Sequence, residues 1–157
     1  MFKPRIVASR IAATGWLSLA LAGWAGLVFG VSFLATAAKF LAPSLTIPVG
    51  LDVGRYTFRV LAQAELVAAV IAALLCWRAR RTFWMVAGLA AAWAVLLVDR
   101  FWLLPALDER VSLYLAGTAA PPSYHHTLFA GLELLKLIGL AVAAVAAAWK
   151  LIAQTGG

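Results

Sequence analysis

The chain has 157 residues, 65% hydrophobic and 12% charged, with a mean hydropathy of +0.97, whereas a soluble domain is about 45–50% apolar and about 25% charged; too little polar surface is present for a water-soluble fold. Thirteen Lys+Arg against six Asp+Glu give a formal charge of +7, which in a membrane chain expresses topology and gives no reason to expect a nucleic-acid partner. One cysteine, Cys76, excludes an internal disulfide framework and a four-thiolate metal site.

A crossing takes roughly 20 apolar residues, so this length accommodates four spans, or at most five, with short loops and no soluble domain. The ten-residue alternating segments of a membrane barrel are absent. The expected fold is all-α, a four-helix transmembrane bundle forming a single integral membrane domain over 1–157, with a short interfacial helix between spans three and four.

Span one is predicted over 11–38, the charge-free run between Arg10 and Lys39. Its basic start and Ala35-Thr36-Ala37 imitate a signal peptide, but the apolar core is about twice the usual 7–15 residues, so the segment is expected to be retained. Gly26 and Gly30 form a GxxxG, with Gly23 one turn earlier, a pattern that favours close contact with another helix. Pro43, Pro48, Gly50 and Gly54 predict the first loop. Span two is predicted over 53–77 and stops at Arg78, Arg80 and Arg81; Cys76 reads as an apolar filler, with palmitoylation as the alternative. Span three is predicted over 83–104, closed by Pro105. The segment 108–124 predicts a brief interfacial helix (Val111, Leu113, Tyr114, Leu115) and a turn at Gly117 and Pro121-Pro122. Span four is predicted over 125–150. Trp77, Trp84, Trp102 and Trp149 fall near span ends, as an aromatic belt requires.

Lys3, Arg5, Arg10, Arg78, Arg80, Arg81 and Lys150 belong to one side, without an acid. The other side carries Lys39, Arg55, Arg59, Arg100 and Arg110 against Asp52, Asp99, Asp108 and Glu109, 5 − 4 = +1. By the positive-inside rule both termini are expected in the cytoplasm, and the setting is a bacterial inner membrane.

Three ionisable residues fall well inside the spans: Glu65, Glu133 and Lys136. Each costs a few kcal/mol or more if unpaired in lipid. Glu65 precedes Arg78 by 13 positions and Lys136 precedes Lys150 by 14, which puts both roughly 20 Å from the inner boundary at 1.5 Å per residue. At 100° per residue Glu65 shares a stripe with Ala62, Ala69, Ala72 and Cys76, and Lys136 with Gly139, Ala143 and Ala147. Small residues permit close helix approach, so the two stripes are expected to pack together and pair Glu65 with Lys136. Arg59, Asp99, Arg100 and Glu133 form a predicted outer polar cluster. The pair serves either to set helix register or as a proton, ion or substrate site.

His125 and His126 are the only histidines. Adjacent on one helix, they cannot clamp a haem between facing helices. A metal site would draw on these histidines, with His126 and Glu133 seven apart and hence on one face and Asp108 and Glu109 on the same side; the alternative is that they cap span four. No cofactor is predicted.

Gly26-x3-Gly30-x2-Phe33, Ala42-Pro43 and Val53-Gly54-Arg55-x2-Phe58 before Glu65, with Leu104-Pro105, Arg110 and a histidine opening the last helix, resemble a family of small four-helix membrane proteins of unknown function. That family includes a eukaryotic transmembrane protein linked to drug tolerance and is grouped with the copper-resistance D membrane domain. The resemblance implies four helices over the whole chain and no settled activity; the methionines and histidines of copper handling number two of each. A second resemblance is to membrane-associated eicosanoid and glutathione metabolism proteins. Here Arg59 is followed by Val60, Gln63 replaces their asparagine and Glu65 arrives one position early, departures that remove much of the glutathione site.

The sequence therefore favours a non-catalytic integral membrane protein, an accessory or packing subunit whose partners are the lipid bilayer and other membrane helices, from a complex or from its own copies. The alternatives are a small transporter or metal- or proton-handling protein using Glu65, Lys136 and His126, and a membrane glutathione transferase-like enzyme.

Overall fold

A computed structural model describes residues 3–118 and 121–155. The side chains of Lys3 and Arg5, and residues 119–120 of the second loop, lie outside the described residues. Four long helices make up the fold, and the described residues contain no strand. Helix α1 comprises Lys3–Val28, a π-helical turn at Phe29–Ala35 and Thr36–Lys39; α2 is Ile47–Arg78; α3 comprises Phe83–Val98, a second π-helical turn at Asp99–Leu103 and Leu104–Leu115; α4 is His125–Thr155. All four are long and apolar enough to cross a membrane, with mean hydropathies of 1.6 to 2.1 over their most apolar windows. At 1.5 Å per residue, helices of 31–33 residues reach nearly 50 Å and overrun a hydrocarbon core of about 30 Å at their ends. This is a multi-pass membrane protein.

The prolines and glycines expected to break helix do so less than predicted. Pro48 stands in the first turn of α2, where its missing N–H costs no bond. Gly50 and Gly54 lie inside α2, where the end of α1 presses close: a Cβ on Gly50 would stand 2.9 Å from the Phe40 ring, and one on Gly54 2.8 Å from Lys39 Nζ. The α2 helix therefore begins at Ile47, before the predicted 53. Pro105 does not close span three either. The preceding π turn shifts the ladder to Leu104 N–H bonding Asp99 O, and the helix continues to Leu115, so the short helix expected between spans three and four is continuous with span three. It ends where Gly117 takes φ +72°, with Thr118 N–H donating to Leu113 O and Gly117 N–H to Tyr114 O, the paired bonds that a left-handed residue allows.

Helix α1 packs on α2 and α4, and α3 packs mainly on α4, while α2 meets α3 less extensively, along both Phe83–Val98 and Leu104–Leu115. Helices α2 and α4 are thus diagonal. The alanine stripe of α2 and the Gly139 stripe of α4 both face inward but do not pack on each other as expected; Gly139 meets Gly88 of α3, and a Cβ on Gly139 would stand 3.0 Å from Gly88 O. Leu17, Leu21, Ala69, Ala72, Met85, Leu89, Leu140 and Ala143 fill one half of the core. Trp77, Trp84, Trp102 and Trp149 are all more than half exposed near helix ends, as side chains of a membrane interface are.

Candidate functional site

In the other half, all four helices send polar side chains to one point. Lys136 of α4 is fully buried. Its Nζ lies 2.9 Å from Glu65 Oε1 and 3.0 Å from Oε2 of α2, 3.3 Å from Asp99 Oδ2 of α3, and 2.5 Å from Glu133 Oε1 one turn back on its own helix. Glu65 and Asp99 are 2% exposed and Glu133 1%. From α1, Trp24 Nε1 donates to Glu65 Oε1 at 2.9 Å and Ser32 Oγ donates to Glu133 Oε2 at 2.5 Å. Asp99 Oδ1 is buried without a hydrogen-bond donor. The diagonal crossing is bridged by the length of the lysine, whose four methylenes carry the ammonium from α4 toward α2.

Ser32 and Asp99 both lie in π-helical turns. Such a turn carries one residue more than the α-helix and recurs at functional sites, and here each of the two widened turns contributes a member of the cluster. Toward the end bearing Asp108, Phe58 and Phe129 meet edge to face with centroids 5.0 Å apart. Beyond them the helix ends are held by exposed or half-exposed polar contacts: Arg59 pairs with Asp108, Arg55 Nε lies 2.8 Å from Asp52 Oδ1, Arg55 Nη1 donates to Ser112 Oγ, and Lys39 Nζ donates to Gly50 O.

The outer cluster expected from Arg59, Asp99, Arg100 and Glu133 is therefore divided. Asp99 and Glu133 belong to the buried centre with Glu65 and Lys136, Arg59 reaches Asp108 instead, and Arg100 is exposed. Asp99 is grouped with Arg59 and Arg100 by its level along span three, but level does not fix facing, and the π-helical turn at Asp99–Leu103 puts its carboxylate on Lys136. The histidines do not converge with the acids. His125 N–H donates to Ser123 Oγ at 3.3 Å, its Nδ1 lies 3.0 Å from the same hydroxyl, and its ring meets the Trp102 edge; His126 is exposed. Among the described residues no three His, Cys, Asp or Glu side chains gather as a metal-ligand set. Arg59 and Gln63 are exposed while Glu65 is buried, so the residues behind the glutathione resemblance do not share a face.

Trp24 and Ser32 are the members that sequence reasoning missed. Trp24 carried a signal: a tryptophan far from either span end has an indole N–H that needs a partner. Ser32 carried none, since a helical serine satisfies itself on the preceding turn.

No family model, curated protein or solved structure matches the chain.

Proposed function

We propose that this protein is a small proton-handling transporter, with the Glu65, Asp99, Glu133 and Lys136 cluster as its proton-exchanging site. One observation carries the reading: three carboxyls from three helices face a single ammonium in a site closed to solvent. With every group ionised the sum is −3 + 1 = −2, a charge that a low-dielectric interior does not hold. Neutrality requires two protons shared among the carboxyls. A pair that merely sets helix register needs one carboxylate; the surplus is a store of exchangeable protons. Ionisable groups at this depth commonly belong to ion and proton pathways. Copper handling has less support, because the histidines stand apart from the acids and the cluster contains no sulfur ligand.

The test is reconstitution into vesicles loaded with a pH-sensitive dye, in symmetrical potassium chloride with valinomycin to balance charge. Vesicles with the wild-type chain are expected to dissipate an imposed pH gradient faster than protein-free vesicles. The variant Glu65→Gln/Asp99→Asn/Glu133→Gln/Lys136→Met leaves no buried charge unpaired and should fold, yet lose that excess, since no member of the cluster can then exchange a proton. Wild-type vesicles no leakier than empty ones would overturn the proposal.

A second reading, an accessory or packing subunit, is favoured by the outer face of α1: a Cβ built on Gly23, Gly26 or Gly30 meets nothing within 4 Å, leaving the GxxxG open to a helix of another chain. Stable co-purification of a larger membrane complex, without proton flux, would select it. For either reading we place the protein in a bacterial inner membrane with both termini cytoplasmic, on the support of seven basic residues and no acid at one end of the bundle. An impermeant thiol reagent applied outside should modify a cysteine placed at Ser112 and spare one at Ala79; the reverse would invert the topology.

A further inference from the structure

We infer that Ser32 is the port through which protons reach the cluster, and that they enter from the end of the bundle carrying Lys39 and Asp108; this rests on the proton-exchange reading above. Of the side chains joined at the site, Trp24, Glu65, Asp99, Glu133 and Lys136 are all 2% exposed or less. Ser32 is half-buried. Its hydroxyl donates to Glu133 Oε2, and the other oxygen of that carboxyl holds Lys136, so one side chain links the partly open surface of α1 to the centre of the charge network. In this conformation the opposite approach is closed: Leu17, Leu21, Met85, Leu96, Leu140 and Ala143 are 0–2% exposed and apolar, so the cluster communicates with one side at a time and release to the other requires the helices to rearrange. Ser32 lies seven positions before Lys39, about 10 Å along the helix, whereas Arg10 is 22 positions away.

A hydroxyl is suited to this role because it both donates and accepts. In the step, the Ser32 O–H bond breaks as its proton forms an O–H bond at Glu133 Oε2, and Ser32 Oγ takes a replacement proton from a hydronium ion that reaches it from the Lys39 end of the bundle, releasing water. One proton moves inward and the serine is unchanged. From Glu133 the groups within reach are Lys136 on the same helix, Asp99 from α3 and Glu65 from α2, the last also held by the Trp24 N–H of α1.

Ser32→Ala and Ser32→Thr, reconstituted beside the wild type, test the port. Alanine should slow proton exchange at least tenfold without changing the number of protons that the purified protein takes up between alkaline and acid pH; threonine, which keeps a hydroxyl, should restore the rate. Alanine exchanging at the wild-type rate would overturn the inference, and so would alanine binding fewer protons, which would make Ser32 part of the store. Sidedness is tested with Cys76→Ala/Ser32→Cys and an impermeant thiol reagent. Modification is expected only from the Lys39 end, with loss of exchange. Modification from the Arg78 end, none from either side, or modified protein exchanging at full rate would overturn it; if the cysteine variant does not fold, the alanine and threonine pair decides. These outcomes differ from failure of the proton-exchange reading itself, in which the unmodified wild type carries no flux.

Discussion

The two halves of the bundle keep helices together by different means. Toward Arg78 and Lys150 the core is apolar and the helices are regularly α-helical, with Gly88 and Gly139 letting α3 and α4 approach until backbone meets backbone. Toward Lys39 and Asp108 both π-helical turns occur, four ionisable side chains are buried, and the helix ends are tied by ion pairs. Close apolar packing holds the first half, whereas the second gives up helical regularity to bring Ser32 and Asp99 to the charge. Steric fit should dominate substitutions in one half and charge balance those in the other.

The largest effect is expected from Lys136→Ala in the charged half. Removing the sole ammonium leaves three buried carboxyls without a counter-charge, and breaking a buried pair in this way costs about 3–5 kcal/mol, read as loss of folded protein in a thermal melt in detergent. Glu65→Gln, which keeps a polar group on Trp24 and Lys136, should cost about 1–3 kcal/mol. If the two cost the same, the charge-balance account of this half fails.

In the apolar half, Gly88→Leu should destabilise by about 1–3 kcal/mol or more through overpacking, since even a Cβ there collides with the Gly139 carbonyl. A melt unchanged from wild type would mean that α3 and α4 are less closely packed than described. Trp24→Phe sits at the boundary between the halves. It keeps most of the ring volume but removes the donor to Glu65, for an expected loss of about 1.5–3 kcal/mol, the range for a hydrogen bond to a charged group. Smallest of all should be Asp108→Ala. Its bridge to Arg59 is exposed on the arginine side, and such solvent-screened pairs contribute little, so high salt should erase the difference from wild type.

The sequence carried the apolar half and the inward residues of both halves. Charge-free runs mark the spans, and the 100° step correctly turned Glu65 with Ala69 and Ala72, and Lys136 with Ala143, toward the interior. A stripe tells which way a residue faces but not which helix it meets, so the diagonal relation of α2 and α4 was not legible. Pro48 and Pro105 were read as breaks because a proline lacks an N–H; that loss matters only where a carbonyl four residues back expects it, and a helix start or a preceding π turn removes the expectation. The π turns had no sequence marker, so neither the inward position of Asp99 nor the contact of Ser32 with Glu133 could be read ahead of the fold.

The Glu133–Lys136 contact within α4 has a consequence for biogenesis. Spans enter a bilayer one at a time before they associate, and a lone charge at a helix centre adds about 2.5–3.5 kcal/mol to insertion on translocon scales. Helix α4, the last of the four to be synthesised, carries its acid and base one turn apart at 2.5 Å, so it enters with that load largely neutralised. Glu65 on α2 and Asp99 on α3 arrive earlier and wait for the same lysine. Docking of α4 is therefore the step that gives Glu65 and Asp99 their counter-charge, and a bundle lacking it holds two acids without an ammonium.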